Sequence, residues 1–260
     1  MYFTFSFIRF KNNLRNKFDI LIEFLETLFV FVVYLYIFQA LYGNKTQVDG
    51  YTLKMVITSI LFIICMSKSY ANYEMLLQKK LKEGAFLIEL MKPVDFKTKA
   101  LFENIGNVLF NICFQSVPVM VIALLITEIM KPANVWCLLI SVFSALIGYL
   151  IHWYLELIVN ELSFFDVSVW GIAVMKNGII DIFGGMLLPI WFFPAVVKQI
   201  LYVTPIPYMY QIPVNIYLGM YSAEKLIGFL FIQLAWAALL FAISQVVWTK
   251  GIEKILQKGA

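Results

Sequence analysis

Three sets of polar residues interrupt otherwise apolar stretches at spacings that could support chemistry. Glu103, Asn107, Asn111 and Gln115 recur every four residues, as do His152, Glu156 and Asn160. Residues four apart share a helix face, so each set makes a polar stripe. Lys176, Asn177 and Asp181 form the third group. An imidazole beside a carboxylate could pass a proton. A polar stripe inside an apolar helix could line a path for a solute. The same stripes could instead tie helices together, at about 0.6 kcal/mol per interhelical hydrogen bond. Glu103 has Lys99 within pairing reach on a helix, and Glu156 has Lys176 as a candidate partner. Several chemistries are excluded. His152 is the single histidine, so no multi-histidine metal site can form within one chain. Cys65, Cys113 and Cys137 lie in apolar runs, at spacings that match no metal motif, and read as packing residues. No G-x-S-x-G nucleophile elbow occurs. No G-x-x-x-x-G-K-[ST] phosphate loop occurs either, so ATP is not bound by that route.

The elements that must position these groups are membrane helices. Of 260 residues, 62% are hydrophobic and 14% charged, with a mean hydropathy of +0.84. Soluble domains run at about 45–50% apolar and about 25% charged. Six apolar stretches stand out, at 20–42, 53–67 (with a polar extension to 78), 101–127, 135–159, 167–193 and 226–248. In a bilayer each must be a helix, because lipid offers no partner to a bare backbone. The fold expected is an all-α polytopic membrane domain over 1–260 with six transmembrane helices. Residues 189–219 are apolar but carry Pro189, Pro194, Pro205, Pro207 and Pro213. Proline breaks long helices, so short re-entrant helices in or on the outer leaflet are expected there.

Charge placement orients the chain. Arg9, Lys11, Arg15 and Lys17 precede the first stretch. Lys79, Lys80, Lys82, Lys92, Lys97 and Lys99 follow the second, and Lys250, Lys254 and Lys258 close the chain. The other side holds only Lys45, Lys54, Lys131, Lys198 and Lys225. The positive-inside rule then puts both termini in the cytoplasm. The first stretch is too long for a signal peptide, and Phe38-Gln39-Ala40 is a poor cleavage site, so it is expected to be retained. Residues 1–18 read as an interfacial amphipathic helix. Phe3, Phe7, Phe10, Leu14 and Phe18 line one side; Arg9, Asn12, Asn13 and Asn16 occupy the other. Glu23 and Glu26 are expected at headgroup level. In the cytoplasmic segment 68–95, Leu77, Leu81, Ile88 and Met91 form one face through Gly84. Gln78, Lys79, Lys82, Glu83 and Glu89 form another. The helix is expected to stop before Pro93, which disfavours helix at Lys92. A long, patterned, charged loop suits the docking of a cytoplasmic partner.

EGAFLIELMKPVDF, at 83–96, resembles the element that follows the second span of type-2 ABC transporter permeases. FGGMLLPIWFFPAVVKQILYVTPIPYMYQIPVNIYLG, at 183–219, resembles that family's stretch between the fifth and sixth spans. The resemblance covers the chain. It departs at Pro205-Ile206-Pro207-Tyr208, where an aromatic usually follows the first proline. It implies that 68–95 carries a coupling helix against a separate ATPase, with Leu77, Leu81, Glu83, Gly84, Ile88, Lys92 and Pro93 at that contact. It also implies that Pro189, Pro194, Pro205, Pro207 and Pro213 shape an outer gate. Lys176, Asn177 and Asp181, with Glu103 and Asn107, become candidates for the translocation path between two permeases, the same or related. The chain itself would hold no cofactor, ATP and magnesium being bound by two copies of the ATPase. The importer-type coupling loop is absent, which favours an exporter in the cytoplasmic membrane of a bacterium. A scaffold or resistance factor that binds a peptide or lipid without ATP is the competing reading.

Overall fold

The computed structural model describes residues 2–70 and 76–258. It is helical apart from one small hairpin. Helix α1 (Tyr2–Asn13) precedes the long helix α2 (Lys17–Tyr42). The antiparallel strands β1 (Gln47–Val48) and β2 (Tyr51–Thr52) turn the chain into α3 (Leu53–Ser69). Thr52 caps α3 by accepting from the Met55 amide at 3.3 Å. Two short helices follow, α4 (Leu76–Lys82) and α5 (Ala85–Leu90). Asp95 then caps α6 (Phe96–Asn111), accepting from the Thr98 amide at 2.6 Å.

Helix α6 runs through a π-helical turn, Ile112–Ser116, into α7 (Val117–Ile126). The cause is Pro118. A proline has no N–H to give, and its ring crowds the carbonyl four residues earlier. The wider turn absorbs this, with the Val117 amide reaching back to the Ile112 carbonyl. Asn134 caps α8 (Val135–Glu161) through the Cys137 amide at 2.7 Å. After a 3-10 turn at Leu162–Phe165 comes α9 (Val169–Phe183). A broken stretch holds the 3-10 turn Ile190–Phe192, α10 (Ala195–Val203), α11 (Ile206–Met209) and α12 (Gln211–Tyr217). The chain ends in α13 (Ala223–Lys258).

Among the described residues, four helical stretches are long and apolar enough to cross a membrane: Lys17–Tyr42, Phe96–Ile126, Val135–Phe165 and Ala223–Gln257. Helices α3, with 17 residues, and α9, with 15, are shorter. Helix α9 ends at Phe183, so Asp181 lies in its last turn and the helix stops short of 193, where the fifth apolar stretch ends. The fifth apolar stretch instead divides, because Gly184 and Gly185 precede a chain whose prolines cannot extend the helix.

The core is built around α3, which buries Val56, Ile60, Leu61, Ile63 and Ile64. Helices α11 and α12 are buried beside it and against α8, from Pro207 to Leu218. Close approach needs glycine: a Cβ on Gly148 of α8 would lie 2.5 Å from the Met209 carbonyl. Long apolar faces of α2, α7, α8 and α13, carrying Phe29, Leu125, Trp136 and Phe231 among others, are left exposed by the described residues. That is the exterior of a membrane protein, since apolar patches of this extent are not left in water.

Helix α1 lies on α6. Its exposed Phe3 and Phe7 face outward. On its other side the Ser6 hydroxyl donates to the Phe102 carbonyl, and Arg9 Nε and Asn13 Nδ2 both donate to Asn107 Oδ1 at 2.9 Å. The polar side of α1 therefore meets protein. A Cβ on Gly106 would collide with the Ser6 backbone, so this contact is backbone-close.

Candidate functional site

Two regions gather the polar and exposed groups that packing alone does not explain. The first is the elbow made by α4 and α5. Gly84 sits between them at φ +68°, a left-handed conformation that costs glycine nothing and other residues about 1–2 kcal/mol. The turn splits what reads in the sequence as one apolar face. Leu77 is 0% exposed and, with half-buried Leu81, packs inward. Ile88 is 62% exposed and Met91 85%, so these two point away with Leu87. The expectation of one continuous face fails because Gly84 reverses the chain's sense between α4 and α5. Gln78 also moves from the expected polar face into a buried position. Glu83, Gly84, Lys92 and Pro93 are exposed on the elbow. Residues 71–75 of the segment 68–95 lie outside the described residues.

The inward side of the elbow is an aromatic cluster. Phe86 of α5 meets Phe96 and Phe164 at 5.4 Å between ring centroids, and Trp248 of α13 at 6.0 Å. Phe96 stacks on Trp248 at 5.5 Å. Beneath it, Lys97 Nζ lies 3.2 Å from buried Glu161 and donates to Ser244 at 2.7 Å. Ser244 in turn donates to Glu161 at 3.0 Å. Glu89 clamps the elbow from the other side. Its carboxylate accepts from Lys92 and Lys99 at 2.9 Å and lies 3.6 Å from Lys80. Burial alone would raise its pKa. The two lysine hydrogen bonds, helped by the charges of Lys80 and Lys99, outweigh burial and bring it down to about 2.

The second region is a row of three adjoining cavities among α1, α2, α3, α6, α8 and α9. The first, ≈ 240 Å³, is lined by Arg9, Asp19, Glu23, Asn107 and Asn111, among others. The second, ≈ 250 Å³, shares Glu23 and Asn111 and adds Glu26, Lys68 and Gln115. The third, ≈ 160 Å³, shares Lys68 and Ser67 and adds His152, Asn177, Asp181 and Tyr210. Glu23 and Glu26 thus face a polar row.

The stripe on α6 and its π turn serves several neighbours. Glu103 lies 3.7 Å from Lys99, Asn107 holds α1, and Asn111 donates to the Lys68 carbonyl at 3.0 Å. Gln115 donates to Glu23. The stripe on α8 is buried: His152 Nε2 is 3.7 Å from Glu156, and Lys176 of α9 makes an ion pair with the same carboxylate. Of the expected path residues, Asn177 and Asp181 share the third cavity and Asn107 borders the first. Lys176 is joined to Glu156, and Glu103 lies nearer the elbow.

The five prolines sit where their missing N–H groups do no harm. Pro189, Pro194 and Pro205 precede helical turns, and Pro207 and Pro213 lie in the first turns of α11 and α12. What pins the segment is a set of amides that its composition does not single out. Gln211 donates to Asn215 at 2.8 Å and to Ser59 at 3.3 Å. Asn215 accepts from Trp191 at 3.1 Å and donates to Tyr221 at 2.6 Å. Gln233 of α13 donates to the Tyr208 carbonyl at 2.7 Å. The usable signal was an amide in an apolar run, with Gln211 and Asn215 four apart.

Among the described residues, no three His, Cys, Asp or Glu side chains converge on a metal position. No curated protein matches the sequence significantly. The family described as ABC-2 family transporter protein does match, over residues 28–259. That span takes in the elbow, the polar row apart from its α1 and Asp19–Glu26 side, and the broken proline-rich segment. The chain is a multi-pass membrane protein and belongs to the ABC-2 transporter family, as a membrane component of such transporters.

Proposed function

We propose that the chain is the permease subunit of an ABC exporter, with six spans in which α3 and α9 join the four longer ones. Both termini face the cytoplasm of a bacterial cell, and a second permease, the same or related, completes the pathway. Membrane lipid covers the remaining apolar faces. Two copies of a separate ATPase dock on the elbow and supply ATP and magnesium. The observation that carries this is the elbow itself. Ile88 and Met91 stand exposed on a piece of chain that is clamped behind by Glu89 and by the Phe86–Trp248 cluster. An apolar crest on a rigid backing suits a partner that pushes. Leu77 and Leu81 act from behind it; Glu83, Gly84, Ile88, Lys92 and Pro93 face the partner. The push moves packed helices as rigid bodies, and the proline-rich segment acts as the outer gate.

The test is purification of the tagged chain in mild detergent from its own host. A stoichiometric phosphate-loop ATPase with ATP turnover is expected. Ile88→Asp combined with Met91→Asp should remove it while the chain still inserts. Glu83→Lys with Gly84→Trp should uncouple ATP hydrolysis from transport. A chain that elutes intact and alone, even after crosslinking, would overturn the reading in favour of a scaffold or resistance factor.

A further inference from the structure

The row of cavities carries too many carboxylates for its cations. Its lining holds Arg9 and Lys68 against Asp19, Glu23, Glu26 and Asp181. Lys176, just beside it, is matched by Glu156 and does not change the balance. Lys68 is committed to Glu26, at 2.7 Å. Arg9, at the far end, hydrogen bonds to Asn107. Glu23 is held by an uncharged amide, Gln115. Asp181 has no cation within ion-pair distance among the described residues. The third cavity also contains His152, which is buried and whose Nδ1 has no hydrogen-bond partner among the described residues.

Asp19, Glu23, Glu26 and Asp181 are accessible from these cavities, and carboxylates set among membrane helices with no ion-paired protein cation mark ion or ligand sites. We propose that this row is a binding site for an organic cation carrying ammonium or guanidinium N–H donors. Asp181 and Glu23 are its counter-ions. Asn177 and Tyr210 supply neighbouring hydrogen bonds, and His152 Nδ1 accepts one. The cavities adjoin, so an extended amine can engage Asp181 and Glu23 on the two sides of Lys68. A neutral or anionic solute leaves both carboxylates unmatched and binds poorly. This rests on the permease reading for its meaning as a cargo site, but binding can be read without it.

The experiment uses the full chain in lipid nanodiscs, without an ATPase. The probe is dansylcadaverine, a fluorescent primary amine, compared with its N-acetylated form. The wild-type chain should bind the amine at least about tenfold more tightly than the amide, the difference expected for losing one charge partner. Asp181→Asn and Glu23→Gln should each weaken the amine by about tenfold and leave the amide unchanged. Asp181→Glu should retain most of the affinity, and Glu128→Gln, in an exposed outer pair with Lys54, should have no effect. Equal binding of amine and amide to the wild-type chain would overturn the proposal, and this comparison needs no variant to fold. So would amine binding that persists unchanged in the Asp181→Asn, Glu23→Gln double variant. Either failure leaves the ATPase purification unaffected, and a chain that binds the amine but carries no ATPase would refute only the permease reading.

Discussion

At the scale of single residues, buried charge has the largest consequences. Glu161 is 0% exposed and its ion partner is Lys97. Removing one member of such a pair leaves the other charged and dry, at about 3–5 kcal/mol. Lys97→Met should therefore destabilise the solubilised chain by about that amount, read as a fall in its thermal midpoint. Adding Glu161→Gln should recover much of the loss, because the stranded charge is then gone. A double variant no better than the single one would mean that Lys97 matters through its packing on Trp248, where its ammonium lies 5.5 Å from the ring. Glu161 and Ser244 were not legible in the sequence. They meet across 83 residues, and no local period announces such a pair.

Elements follow local rules, and here much of the fold was readable. The period of Phe3, Phe7 and Phe10 announces α1, and the prolines of 189–219 announce short helices. Pro118 could have announced the π turn, by the same absent N–H. What local pattern cannot supply is which neighbour each face meets. That is why Asn107, one of a regular stripe, turns out to hold α1, and why the elbow's apolar residues part company at Gly84. Two predictions belong at this scale. Gly106→Leu should lift α1 from α6, since its side chain would occupy the space of the Ser6 backbone. The measurement is protease access near Arg9 and Lys11 in inverted membrane vesicles, which should rise severalfold. The second concerns pH. The folded pKa of Glu89 is depressed to about 2. Its contribution to the elbow is therefore fully present above the ordinary glutamate value of about 4.3, and is lost progressively as pH falls from there through about 2. Acid cleavage by pepsin within the elbow should rise steeply below about pH 4. Glu89→Gln should show high cleavage with no such step; a step that survives in that variant would assign the pH dependence to another group.

For the molecule as a whole, the question is what the elbow carries with it when pushed. Its inward face is continuous with α13 through Phe86 and Trp248, with α6 through Phe96, and with the end of α8 through Phe164. Helix α13 runs from this cluster up to Gln233, which bonds the Tyr208 carbonyl beneath the outer segment. Packed cores switch between discrete arrangements and do not deform smoothly. On that ground, and on the permease reading, the elbow and the C-terminal half of α13 should move as one body, with relative motion elsewhere. Joining Cys residues at Phe86 and Trp248 with a short bifunctional maleimide should then leave coupled ATPase activity within about twofold of the unlinked protein. Trp248→Ala, which empties the centre of the cluster, should weaken coupling more than it weakens ATPase docking. If the crosslink instead abolishes coupling, the elbow must slide over α13 during the cycle, and the cluster is a bearing surface rather than a joint.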